Sequence, residues 1–174
     1  MPQWAFFEVR YGNDVACNRI GGIHILTMKW FFGDKGLEDA HSIRRAVFIE
    51  EQGLTQEEEY DNTDYACTHL VAYEDEIPVA TGRIMLYGDD YIIGRVAVLK
   101  SHRGQQLGLG VMQALIEACC AMGGDRQILH AQTHARGFYE KLGFAAYGEE
   151  FEEAGIPHIA MEHFGPVKCC GGKS

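Results

Sequence analysis

One stretch, Tyr91 to Met122, constrains the fold more than any other part of the chain. Tyr91 to Val98 is rich in β-branched and apolar residues, gives way to polar Lys100 and Ser101, and reads as a buried strand. From Leu107 onward the apolar side chains fall at Leu107, Val111, Met112, Leu115, Ile116, Cys119 and Met122, which is helical spacing. The join, Arg103-Gly104-Gln105-Gln106-Leu107-Gly108-Leu109-Gly110, places an arginine and a cluster of glycines at a helix start. The first amides of a helix lack intrahelical partners and carry partial positive charge, and glycine lets a ligand come close to them. The join therefore suits a phosphate or a pyrophosphate. The other reading is a turn that does no more than connect strand to helix.

Spacing removes two phosphate loops. A Walker loop needs Gly-x4-Gly-Lys followed by Ser or Thr, and no such run exists; a dinucleotide turn needs Gly-x-Gly-x-x-Gly, whereas the glycines here stand at 104, 108 and 110. What remains resembles the pyrophosphate loop of the GNAT N-acetyltransferases, whose pattern Gln/Arg-x-x-Gly-x-Gly/Ala is matched by Gln105-Gln106-Leu107-Gly108-Leu109-Gly110. A second segment, Ala135 to Phe144, resembles the family's short helix that carries a tyrosine, here Tyr139, and ends in Leu142-Gly143-Phe144. Gly143 suits the left-handed position that stops a helix. A strand at Gln127 to Gln132 separates the two motifs. Arg44-x-x-Val47-Phe48-x-x-Glu51-Gln52, then Gln132-Thr133 and Gly155-Ile156-Pro157-His158-x-x-Met161, resemble the ElaA/YjcF-like subgroup of that family. The likeness covers about residues 28 to 164.

The resemblance implies a mixed α/β fold with a mostly antiparallel central sheet of about seven strands, helices on both faces, and a splay at the strand Tyr91 to Val98. A length of 174 residues suits one domain. Residues 1 to 27 are expected to be an extension, poorly ordered or adding a short strand near Gly22 to Thr27, and 165 to 174 a mobile tail. Met28 to Phe32 reads as the first family strand. Leu37 to Glu51 reads as a helix with Arg44 and Arg45 on its polar side. The acidic run from Gln56 to Asp64 reads as a solvated loop, or as a rim that attracts ammonium groups. Thr68 to Tyr73 reads as an alternating strand, and the last pair spans Phe144 to Phe151 and Ile156 to Phe164.

Fifteen basic against 25 acidic side chains leave a net charge of −10, which opposes nucleic-acid phosphates and favours a cationic acceptor such as an amine. None of the six cysteines stands in a Cys-x-x-Cys pair, so neither a disulfide framework nor a zinc site is suggested, and reduced thiols in a cytoplasmic protein are the plain reading. No apolar run approaches the roughly 18 residues that cross a membrane. No metal is expected.

The resemblance further implies that acetyl-CoA lies with its pyrophosphate on Arg103, Gly104, Gln105, Gln106, Leu107, Gly108, Leu109 and Gly110, and its pantetheine arm beside Val96, Ala97 and Val98, with Gln132 in contact. A strand amide near Val96 to Val98 would hold the oxyanion. Tyr139 would protonate the departing thiolate, since a phenol of pKa about 10 is neutral at pH 7; a tyrosine packed in the core is the alternative. His158, helped by Glu152, is the candidate base, with Glu51, Glu59 and His130 as rivals and a structural histidine as the alternative. Glu51, Gln52, Glu59, Glu152 and His158 are placed around the acceptor. The function expected is an N-acetyltransferase acting on a small primary amine by direct attack, a homodimer being common among relatives. A non-catalytic acyl-CoA sensor and a protein N-acetyltransferase are the alternatives.

Overall fold

The computed structural model describes residues 15–18 and 25–165. The expected features of the first residues and of 166–174 lie outside the described residues. The chain forms two compact units, one comprising Met1–Arg83 and Arg95–Ala114, the other Ile84–Gly94 and Leu115–Ser174.

In the first unit, β1 (Val15–Asn18), β2 (Ile25–Phe32) and β3 (Thr68–Glu74) pair antiparallel, and β4 (Ile77–Tyr87) and β5 (Asp90–Val98) run through both units. The segment expected as two pieces around Met28 is one strand, β2, and β1 is an addition that the sequence did not signal. In β3 every residue from His69 to Tyr73 is buried, so the expected alternation of exposed and buried positions is corrected. Such a strand is covered on both faces. On one face lie α1 (Leu37–Arg44) and the segment that continues it, where Ala40 and Ile43 of the helix and Val47 beyond it meet Val71, Tyr73 and Ala97, with Phe31, Phe48 and Leu99 packed against them.

The helical stripe continues beyond α1, but as a π-helical segment over Arg45–Glu51. Its turns are widened: Gln52 N–H donates to Val47 O, five residues back, at 3.2 Å. In a regular helix Glu51 would share the face of Arg44, two turns earlier; the wider turns move it off that buried stripe.

Two further expectations are corrected here. Arg44, read as polar-side, is 1% exposed, and the acidic run is a solvated loop only in part, with Glu57, Glu58 and Asp61 exposed but Glu59 and Asp64 turned inward. It holds a short helix, α2 (Gln56–Glu59), started by a capping box between Thr55 and Glu58. Glu59 and Asp64 are buried with Arg44 and Arg83. Arg44 Nε donates to Glu59 Oε1 and its Nη1 to Asp64 Oδ1 at 2.9 Å, while Arg83 Nη1 donates to the same Asp64 oxygen at 2.9 Å. His41 bonds the other Asp64 oxygen at 2.9 Å. A guanidinium this buried persists only when paired, and the acids of 56–64 supply the pairs.

In the second unit the strand order is β5, β6 (Arg126–Gln132), β8 (Ile156–Phe164), β7 (Ala145–Glu153). Only Tyr91 and Ile92 of β5 pair with β6, in parallel, which is the expected splay. β6 and β8 pair antiparallel over seven positions, from Arg126↔Phe164 to Gln132↔His158. The β7–β8 turn is made by Ala154 and Gly155, both left-handed (φ 50° and 72°), as a two-residue hairpin requires. α3 (Leu107–Ala121) follows β5 and belongs to both units; Met122, read as the end of its apolar stripe, lies beyond it and is exposed. α4 (Arg136–Glu140) follows β6. It is stopped as expected: Gly143 takes φ 90°, its N–H donates to Glu140 O at 3.0 Å, and Phe144 N–H donates to Tyr139 O at 3.1 Å, a Schellman arrangement. No described helix is long and apolar enough to cross a membrane.

The buried Asp64 carboxylate makes stability acid-sensitive. Burial alone would raise Asp64, but bonds from Arg44 and His41 outweigh it and hold the carboxyl well below the usual range. A depressed folded-state pKa contributes stability above the unfolded value, about 3.9, that is lost as pH falls below it. The melting temperature should therefore fall from about pH 5 downward, and the fall should be shallower in Asp64→Asn than in the parent chain. Parallel melting curves by circular dichroism would refute this contribution.

Candidate active site

In the first unit β5 leads through Leu99 and a 3₁₀ turn, Lys100–His102, to the glycine-rich join. Gly104 (φ 71°) and Gln106 (φ 63°) are both left-handed, which turns the chain sharply into α3. Glycine adopts this conformation freely, whereas for Gln106 it costs about 1 kcal/mol. The first bond into the helix is donated by Gly110 N–H to Gln106 O, at 3.1 Å. The amides of Leu107, Gly108 and Leu109 thus precede any partner inside the helix. Residues 103–106 are exposed, and a Cβ at Gly104 would meet nothing within 4 Å. This start fits a diphosphate: open, free of side-chain bulk at Gly104, and at the positive end of a 15-residue helix.

Arg103 is held in place. Its Nε donates to Val98 O at 2.9 Å, and its two terminal nitrogens donate to Glu51 Oε1 and Oε2, each at 2.7 Å. Two residues assigned from sequence to different ligands, one to phosphate and one to the acceptor, therefore meet as a fork-to-fork pair. The bond from Arg103 draws the Glu51 carboxyl below its ordinary value. Gln52 ends the π-helical segment, and Gln105 Nε2 donates to Ser101 O at 3.2 Å. Ala97 is buried in the core under α1, while Val96 and Val98 are half-buried.

Glu59 lies 1% exposed, between Arg44 and Arg95. Burial pushes its carboxyl up, against the pull of Arg44 and Arg95. Arg95 itself is left-handed (φ 53°) within β5. A non-glycine residue there costs roughly 1–3 kcal/mol. Arg83 and Arg95 were not singled out by sequence reasoning, and Asp61 and Asp64 were read only as part of the acidic run. The acidic run was visible, but its arginine partners come from α1, β4 and β5, and no local pattern joins them.

In the second unit Gln132, the last residue of β6, stands opposite His158 on β8. His158 is buried, stacked 6.0 Å from the Phe151 ring, and its Nδ1 is 2.7 Å from Ile156 O. A carbonyl can only accept, so Nδ1 carries a proton, and in a neutral ring the lone pair falls on Nε2. Glu152 is exposed on β7 opposite Pro157, and its neighbour Glu153 pairs with His130 at 3.0 Å. Tyr139, on α4, packs edge-on against Phe138 (5.1 Å) and Phe144 (6.1 Å). Burial alone pushes its phenol up to about 12, although part of the residue surface stays open; the packing around the ring, not the exposed area, sets the shift. Among the described residues no group of three or more His, Cys, Asp or Glu is arranged to hold a metal ion.

A sheet that opens after two parallel pairs, followed by a helix with a bare, glycine-lined start, is the architecture of an acyl-CoA acyltransferase. The chain belongs to the GNAT acetyltransferase family: residues 34–163 match the domain described as Acetyltransferase (GNAT) domain. It is 40% identical over 129 residues to the uncharacterised N-acetyltransferase YjcF of Bacillus subtilis, covering 74% of this chain and 92% of that one. It is 36% identical over 124 residues to protein ElaA of Escherichia coli, covering 68% and 81%. Among solved structures, an acyl-CoA N-acyltransferase from Pseudomonas aeruginosa aligns with a TM-score of 0.73 at 29% identity, covering 79% of this chain and 99% of that one. Escherichia coli ElaA aligns at 0.70 and 30% identity, covering 78% and 99%. The chain is accordingly an acyltransferase.

The His158 geometry has a direct spectroscopic consequence. Long-range proton–nitrogen correlation at pH 8 should show His158 as the Nδ1–H tautomer, with Nε2 resonating as an unprotonated nitrogen. A protonated Nε2 in the neutral ring would contradict the bond between Nδ1 and the Ile156 carbonyl.

Proposed function

We propose that the chain is a cytoplasmic N-acetyltransferase that moves an acetyl group from acetyl-CoA to a primary amine of a small molecule, by direct attack. The observation that carries direct attack is the state of the cysteines. Cys67, Cys119 and Cys120 all have thiols pushed up by burial, Cys119 to about 12. The thiolate is the nucleophile, so none of these three cysteines is suited to carry an acyl group between donor and acceptor. This favours an amine that meets the thioester itself.

The residues supply what such an attack requires. The amides of Leu107, Gly108 and Leu109 would take the diphosphate, and main-chain amides of Val96 to Val98 the pantetheine arm and the developing oxyanion. His158, through Nε2, would accept the proton that the amine sheds. Tyr139 would hand its phenolic proton to the departing thiolate. A phenol at about 12 is a weaker acid than a thiol of pKa near 8.5, but the desolvation that raises the phenol also raises a thiolate lying beside it, which narrows the gap. Acidic side chains outnumber basic ones by 25 to 15, which favours a cationic acceptor.

Tyr139→Phe should lower kcat on the order of tenfold or more and leave the Kd of CoA nearly unchanged, measured by thiol release across a panel of amines and by calorimetry. Equal kcat in the two proteins would remove Tyr139 from its role, and binding without turnover for every amine would favour a sensor. The phenol stays protonated throughout the neutral and moderately alkaline range, so kcat/KM should rise with amine deprotonation and show no fall before about pH 10. A descending limb near pH 9 would contradict that protonation state.

A further inference from the structure

Arg95 keeps a left-handed backbone inside a strand, one residue after Gly94, where the same conformation would be free of strain. A side chain with a Cβ remains in that region only when its surroundings hold it there. Here the holding groups are visible. Arg95 Nη2 donates to Glu59 O at 3.2 Å and to Asp61 Oδ2 at 3.3 Å, and Nε lies 3.3 Å from Glu59 Oε2. The angle at Nε does not complete a hydrogen bond, so its attraction to Glu59 is that of an ion pair. Both anchors are themselves fixed: Glu59 by Arg44, and Asp61 by two bonds from Arg83, at 3.0 and 2.9 Å.

None of these groups has a part in the proposed chemistry. Yet Arg95 immediately precedes Val96, Ala97 and Val98, whose main-chain amides do. A single left-handed residue in a strand re-aims the peptide groups that follow it, which is why such kinks recur beside active sites.

We infer that Arg95 is a positioning residue: clamped by Glu59 and Asp61, it holds the kink in β5 and thereby aims the Val96 to Val98 amides at the thioester and its arm. The inference rests on the acyl-transfer reading above and adds a residue to it. Arg95 touches neither substrate; it acts through the backbone. The acidic segment 56–64 acquires a role in turnover through this clamp.

Two variants test it from opposite sides. Arg95→Gly removes the clamp while leaving a left-handed φ accessible, and Asp61→Asn weakens the clamp from its acidic end. With acetyl-CoA and an amine the parent chain accepts, kcat should fall about tenfold or more in both, at a temperature where circular dichroism shows each fully folded. The KM of the amine should stay within about threefold of the parent, since the amine loses no contact, while the Kd of CoA should rise only as far as the pantetheine arm loses its bonds to the re-aimed amides. Should Arg95→Gly not fold, Arg95→Lys, which keeps the charge and loses the fork, carries the same comparison and should show a smaller loss of kcat. Unchanged kcat in the folded variants overturns the inference. So does a raised amine KM, which would make Arg95 a direct acceptor contact. Absence of turnover by the parent chain overturns the acyl-transfer reading and this inference together, whereas parent turnover with unaffected variants overturns the inference alone.

Discussion

Taking three guanidinium groups out of water is the constraint around which the first unit is arranged. Arg44, Arg83 and Arg95 come from a helix and two strands, and each would be costly to bury unpaired. Glu59, Asp61 and Asp64 satisfy them from one short segment, with Asp64 receiving both Arg44 and Arg83. The network ties α1, β4 and β5 to residues that would otherwise be a charged surface loop. Its cost is offset by bonds rather than by apolar area, and so it depends on the carboxylates staying ionised.

The same economy of partners shapes the anion turn. A helix start with three unbonded amides provides positive potential without a lysine, and Arg103 is already committed to Glu51 and to Val98 O. In the proposed site the backbone is therefore the standing element, and Arg103 a side chain that a phosphate would have to share with Glu51. That sharing arises from the π-helical segment, which moves Glu51 off the buried stripe of Arg44 and Val47. In the second unit, the surroundings of two titratable side chains are fixed in a comparable way. The Ile156 carbonyl selects the His158 tautomer, and aromatic packing keeps the Tyr139 phenol protonated.

Much of this was legible in the chain because it is local. The period of the α3 stripe, Gly143 at the end of α4, the Ala154–Gly155 hairpin and the Gly104 to Gly110 join are settled by residues within a turn or two of each other. Local signals mislead where burial is decided from a distance. Arg44 and the run 56–64 each read as solvent-facing, since charge predicts exposure until an opposite charge arrives to share the burial. β3 read as half-exposed although both of its faces are covered. The π-helical segment gives no composition cue, because a turn of one extra residue is chosen by packing.

By itself, then, the sequence determined the order of the elements apart from β1 and α2, the glycine-rich helix start and the tyrosine helix, all consequences of short-range backbone preference and apolar period. Only the tertiary structure decided which charges are internal, that Glu51 grips Arg103, that Arg95 is held left-handed, and which nitrogen of His158 is free. Those outcomes depend on groups dozens of positions apart meeting in a medium of low polarity, where pairing rather than propensity sets the energy.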